Sequence, residues 1–340
     1  MARRRIIRSF PDIADLPLAD QPVVTLFSGG LDSAYLLLRL MQSGARDIHA
    51  VSVDLGGEDS WAEVASIADR LGVTWHLIDA RSDFVRTFIR PAIAAQSVYL
   101  DTHPISSSLS RPLIAKVVLD VARQVGAAAV LHTANRSQNS LRRLNGAIEL
   151  LGFESRYGSP YDLTPVDRGQ KIKELSSFGL EEMSNRVVSI DANLWCREFE
   201  SGLIDDPESH AVPSALYHWT LVDEAPSPSV LDIGFKAGIP VSVNDVNLPL
   251  IDIITTLNTH VGRYGIGRYS GLEHLAGDVK VLEVREMPAA SILLRSYRHV
   301  ESAVTGAEEM REKMHIEQLW VREAIEGRWF GQLRQACQSF

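Results

Sequence analysis

The chain has 340 residues, 45% of them hydrophobic and 23% charged, and a net charge of −9. That length accommodates two domains and a large core, while the acidic balance argues against a broad nucleic-acid-binding face and no apolar run approaches transmembrane length. Two distant cysteines, Cys196 and Cys337, exclude a disulfide framework or a cysteine-built zinc cluster and point to a reducing compartment; the short basic start is no signal peptide, so a cytoplasmic protein is expected.

Residues 1–20 read as an extension with little periodicity. Val23, Val24, Leu26 and Phe27 then mark a buried strand, Ser28-Gly29-Gly30 a turn, and the apolar run 34–40 a helix. In such a turn, consecutive backbone N–H groups can converge on an anion at a helix N-terminus. Gly29 and Gly30 permit close backbone approach, and Ser28 and Ser33 add hydroxyls. Neither the Walker A nor the dinucleotide pattern is present. Further strands are predicted over 48–55, 74–78 and 127–132, with helices over 61–71, 84–95 and 113–125. Strands alternating with helices imply a doubly wound parallel sheet, whose ligands lie beyond the carboxyl ends of its strands. Ser28, Asp54 and His132–Asn139 fall at such ends.

The second half reads differently, with a helix over 170–177, alternating strands at 230–235 and 239–243, a helix over 248–259, a glycine-rich GRYGIGR at 262–268 and a largely helical end over 290–337. The domains expected are an extension over 1–20, a nucleotide-binding α/β domain over 21–170, an α+β substrate domain over 171–300 and a helical segment over 301–340.

Ser-Gly-Gly-Leu-Asp-Ser at 28–33 resembles the pyrophosphate-binding loop of the N-type ATP pyrophosphatases. With PISSSLSRPLIAK at 104–116, SIDANLW at 189–195 and GIGR at 265–268, the chain is similar to the argininosuccinate synthases over about residues 22–335. The resemblance implies an adenine nucleotide α-hydrolase-like domain joined to a synthetase domain. It implies ATP and Mg²⁺, with no metal held by the protein alone, and small amino-acid-like substrates, no nucleic acid and no membrane. The activity implied is adenylation of a ureido, amide or carboxyl oxygen, of citrulline or an analogue, with release of pyrophosphate. An amine, of aspartate or an analogue, then displaces AMP. Carried over, Leu26, Phe27, Ser28, Gly29, Gly30, Leu31, Asp32, Ser33, Val53 and Thr133 face the nucleotide. Asp32 and Ser33 are the catalytic candidates, although Asp32 could equally be a helix cap. The substrate set is His103, Ser107, Ser108, Arg111, Asn135, Asn139, Ser140, Arg143, Ser189, Glu198, Glu273 and Arg285. A homo-oligomer, dimer or tetramer, is expected, although the chain ends before the family's C-terminal arm.

Several positions depart from that family. Ser140 stands where an acidic residue is expected, His103 and Arg285 where tyrosines are, Glu198 where a serine is, Thr133-Ala134 where Gly-Cys is, and Cys196 where a glycine is. Glu198 and Arg285 could pair with each other. The nucleotide residues are kept better than the substrate residues, which points to an altered substrate pair. Two other readings stay open: an ATP pyrophosphatase acting in sulfur transfer or base modification, and a nucleotide-binding relative without catalysis.

Overall fold

The computed structural model describes residues 6–57, 60–185, 189–200, 204, 206, 208, 211–222, 226–275 and 280–339. In chain order its first strands are β1 (Ile6–Ile7), β2 (Val23–Leu26), β3 (Ile48–Asp54), β4 (Thr74–Asp79), β5 (Val98–Tyr99), β6 (His103–Pro104), β7 (Ala129–Leu131) and β8 (Arg156–Gly158). β5 and β6 form a small antiparallel ribbon. The other six make one parallel sheet in the order β1-β8-β7-β2-β3-β4. The strand order reverses between β2 and β7, the place where sheets of this kind open a crevice for ligands.

Alternation along these strands divides the core between two faces, as a period of two requires. Val23, Ala50, Ala129 and Leu131 pack on one side with α1 (Leu31–Gln42) and α2 (Trp61–Arg70). Val24, Val51 and Val130 pack on the other. The helical run predicted over 84–95 begins earlier and is irregular: α3 (Arg81–Asp83), a π-helical stretch over Phe84–Ile89 and α4 (Arg90–Ala94) follow one another directly. Pro91, with no N–H to give, sits in the first turn of α4. α5 (Ser107–Val125) and α6 (Ser140–Leu150) cover the second face of the sheet, and α7 (Arg168–Ser176) packs beside α1.

The amino-terminal residues are more ordered than their weak periodicity suggests. Ile7 is fully buried and pairs with Gly158 at the outer edge of the sheet. Gly158 has φ +139°, and a Cβ there would lie 2.2 Å from the Ile7 carbonyl oxygen. Only glycine lets β1 approach this closely.

A second, antiparallel sheet is built from β9 (Ser189–Asn193), β10 (Cys196–Glu200), and, after the ribbon β11 (Ile233–Lys236), β12 (Ile239–Val243) and β13 (Val246–Asn247), from β14 (Arg268–His274) and β15 (Lys280–Glu286), in the order β14-β15-β10-β9. Helices α8 (Leu250–Gly262), α9 (Pro288–Val304), α10 (Ala307–Ile325) and α11 (Gln332–Gln338) complete the chain. One apolar core joins these parts to the first half: Phe84, Phe88, Trp195, Leu257, Leu293, Trp320 and Trp329 belong to it. Phe88 and Trp329 stack with centroids 4.6 Å apart, and Trp320 meets Trp329 edge-on at 5.2 Å. No helix among the described residues is long and apolar enough to cross a membrane.

Candidate active site

The nucleotide-loop residues lie together at the reversal point of the parallel sheet. Leu26 ends β2, and Phe27, 2% exposed, takes a backbone bond from its amide to Val51 and a 2.6 Å bond at its carbonyl from the Ser52 hydroxyl. These bonds fix the chain as it enters the turn. Gly29 adopts φ +70°, and Gly30 caps the N-terminus of α1. Ser33 donates its hydroxyl to the Gly30 carbonyl at 3.0 Å, and the Ser28 and Ser33 hydroxyl oxygens are 3.3 Å apart. Leu31 is buried in the first turn of α1, Val53 precedes the last residue of β3, and Thr133 follows β7. Asp32 is no cap for its helix: its Oδ1 receives Lys171 Nζ of α7 at 2.5 Å, while its carbonyl accepts the Tyr161 hydroxyl at 2.8 Å. Lys171 and Tyr161 carry no motif in the sequence, and α7 alone gives no sign that it faces the loop.

A second constellation forms where α5 and α6 meet β10, β14 and β15. One polar cavity is lined by Ser107, Arg111, Asn139, Ser140, Arg143, Glu198 and Glu273 from the substrate set. A smaller adjoining recess brings in His103, Ser108 and Arg285. Asn135 stays apart: its Oδ1 accepts the Ser137 amide at 2.9 Å and holds the turn before α6. Ser189 begins β9, but its side chain lies outside the described residues. The nucleotide loop lines neither cavity.

Arg143 ties this site together. Its side chain is 2% exposed. Nη2 donates to Glu273 at 2.7 Å, Nη1 to the Ser107 hydroxyl at 2.6 Å, and Nε to the Ile325 carbonyl at 3.2 Å. Arg111 bonds Asp191 at 2.7 Å and the Ser140 hydroxyl at 3.0 Å. Asn139 donates to the His274 carbonyl at 2.9 Å. Arg285 bonds Glu198 at 2.7 Å and also pairs with Glu283, so the two residues that replace uncharged ones face each other. β10 and β15 set them in register, Glu198 opposite Arg285.

Burial dominates the electrostatics here. His103 is pushed down to about 3 by burial and by Arg285 nearby, which makes it a neutral hydrogen-bonding group and no proton carrier at neutral pH. Burial lifts the Glu283 carboxyl well above the usual range. Glu283 therefore keeps its proton and donates it to Glu273; burial opposes ionisation of Glu273, but Arg143 and that bond hold its carboxylate charged. Burial, with Glu198 close by, raises Glu200 to about 7. In the fold Glu200 thus stays protonated where an unfolded chain has released its proton. The stability this contributes is present at low pH and is lost as pH rises through 7. Glu200→Gln is therefore expected to be more stable than the parent at pH 8, by about 1–3 kcal/mol, and nearly equal at pH 5. Urea denaturation at the two pH values checks this.

Residues 22–160 match the arginosuccinate synthase N-terminal HUP domain, and residues 188–340 match the arginosuccinate synthase C-terminal domain. The argininosuccinate synthase of Sulfurisphaera tokodaii is 33% identical over 318 residues, covering 93% of this chain and 81% of that one. That of Hyperthermus butylicus is 35% identical, with the same shares covered. The chain belongs to the argininosuccinate synthase family. Within that family, an ATP-using group of carbon–nitrogen ligases, its pocket carries charges that the sequence motifs do not announce. Glu200 and Glu283 line the cavity beside the residues singled out from the sequence, together with Asp191 of the SIDANLW motif. Period-two alternation in β10 offered the one available signal for Glu200, which lies two residues beyond Glu198 and so on the same face. Cys196, a departure noted in the sequence, is fully buried, and burial pushes its thiol well up; this is the wrong environment for a sulfur carrier.

Proposed function

We propose that this member of the argininosuccinate synthase family cleaves ATP to AMP and pyrophosphate to join two small amino-acid-like molecules. The ureido- or amide-type oxygen of one, citrulline or an analogue, attacks the α-phosphorus and pyrophosphate departs; the amine of the other, aspartate or an analogue, then displaces AMP. The observation that carries this is the Ser28–Ser33 turn at the reversal point of the parallel sheet. Backbone amides at a helix N-terminus suit the charge that grows on a leaving pyrophosphate. Ser28 and Ser33 add hydroxyl donors. The cavity around Arg143 would seat the amino-acid ends, since fixed guanidinium and carboxylate groups orient carboxylates and ammonium groups.

Magnesium belongs to the same proposal as the ion that ATP brings, neutralising charge on the phosphates. Asp32, tied to Lys171, and Asp54, whose Oδ1 accepts the Gly56 amide at 2.7 Å, are the carboxylates at this end. Both are already engaged, so the fit is to a metal liganded chiefly by phosphate oxygens. A homo-oligomer built through the helices of 301–337 completes the proposal.

Pyrophosphate release from ATP and Mg²⁺, measured against a panel of ureido and amide amino acids each combined with amines, is the test. Release that requires one member of each class is expected. ATP binding with no pyrophosphate formed across the panel would overturn the reading.

A further inference from the structure

The phosphate turn carries no cation of its own. Across residues 28–38 the one charged side chain is that of Asp32, and it is negative. The first cation along α1, Arg39, is engaged elsewhere, over the Phe10 ring at 5.8 Å and toward Glu174 at 3.8 Å. Amides and hydroxyls are neutral donors, and a leaving pyrophosphate carries several negative charges. Phosphate-binding turns of the Walker type meet that need with a lysine placed beside the amides.

Here α7 brings a lysine to the turn. Lys171 and Leu175 are four residues apart and so share one face of that helix. It is the face that packs inward: Leu175 is fully buried, and Ile172 joins it in the core that holds Tyr35 and Leu36 of α1. A lysine is rarely found on such a face. Its side chain is 11% exposed, and its ammonium nitrogen, 5.7 Å from the centre of the Tyr161 ring, comes out against Asp32, whose side chain is 39% exposed. Asp32 takes one N–H of Nζ, at 2.5 Å, and no other hydrogen bond engages Nζ among the described residues. An ammonium has three donors, so two remain to be offered. Holding α7 to α1 does not call for this pair, because the apolar contacts already do so and a part-exposed ion pair adds little.

We infer, on the ligase reading above, that Lys171 is the catalytic cation of the pyrophosphate site. Asp32 positions its ammonium at the mouth of the turn, and the two remaining N–H groups bond oxygens of the β- and γ-phosphates. As the substrate oxygen bonds to the α-phosphorus, the bond from that phosphorus to the bridging oxygen breaks, and the electron pair leaves on pyrophosphate. Lys171 transfers no proton; its charge offsets the charge that the bridging oxygen acquires.

Calorimetric titration of the full chain with metal-free inorganic pyrophosphate tests this. Lys171→Met is expected to weaken binding at least about tenfold, with a melting temperature within about 4 °C of the parent. Lys171→Arg keeps the charge and should stay within about fivefold of the parent. The deciding comparison is made in the Asp32→Asn background. A lysine that only neutralises Asp32 has nothing left to do there, whereas one that bonds phosphate still costs at least about tenfold when Lys171→Met is added. A loss under threefold in that background, equal losses in the Arg and Met variants, or no pyrophosphate binding by the parent would each overturn the inference. Should Lys171→Met fail to fold, Lys171→Gln carries the same comparison. Any of these failures leaves the ligase reading to its own test, since binding of pyrophosphate involves neither amino-acid substrate.

Discussion

Gly29→Val is expected to abolish pyrophosphate release, by at least about 10³-fold, while the protein still folds. Gly29 holds φ +70°, and a Cβ there would sit 2.8 Å from Val64 Cγ2 of α2. A non-glycine residue in this conformation costs about 1–2 kcal/mol, and a β-branched one more. The backbone therefore shifts away from the left-handed region, and the amides of the turn move with it. Losing a single well-aimed donor to a developing oxyanion costs about 10²–10³ in rate, and a rearranged turn misaims several. Gly30 is the gentler comparison: its φ is −76°, and an added Cβ would meet only the Ser28 hydroxyl, at 3.2 Å. Gly30→Ala should therefore lose less. Single-turnover pyrophosphate release alongside a thermal melt separates chemistry from folding. A Gly29→Val protein within tenfold of the parent would remove this turn from the reaction.

Arg143→Met is expected to destabilise the protein by about 3–5 kcal/mol, because it strands a buried carboxylate, and to remove ligation with it. Arg143 bridges three parts of the chain: Ser107 at the start of α5, Glu273 on β14 and the Ile325 carbonyl at the end of α10. Methionine keeps much of the volume but none of the five donors. Combining it with Glu273→Gln should restore a large part of the stability and none of the activity. Equilibrium denaturation of the single and double variants measures the coupling directly. If the double variant were as unstable as Arg143→Met alone, the stranded charge would not be the cause.

The parallel sheet was legible because its strands are short continuous apolar runs closed by glycine or polar turns, as strands buried on both faces must be. The turn at 28–30 was legible because glycine there has a geometric reason, visible at Gly29. The pairing of Glu198 with Arg285 was also within reach, since each replaces an uncharged residue and together they cancel. Lys171, Glu200 and Glu283 were not. None sits in a motif, and each acquires meaning only when a strand or helix distant in sequence is laid against its partner: Lys171 needs α7 beside α1, and Glu283 needs β15 beside β10. The same limit hid β1. A two-residue strand has too little pattern to read, and what defines it is Gly158, some 150 residues further along.

That distant pairing has a practical side. Ile6 and Ile7 are the outermost thread of the six-stranded sheet, and pulling them away would bare the backbone of β8 as an open seam, an invitation to clumping between molecules. Purification handles and trimming at the amino end therefore act on the sheet's hem, whereas the same alterations after α11 follow a mostly exposed helix that is no part of that sheet.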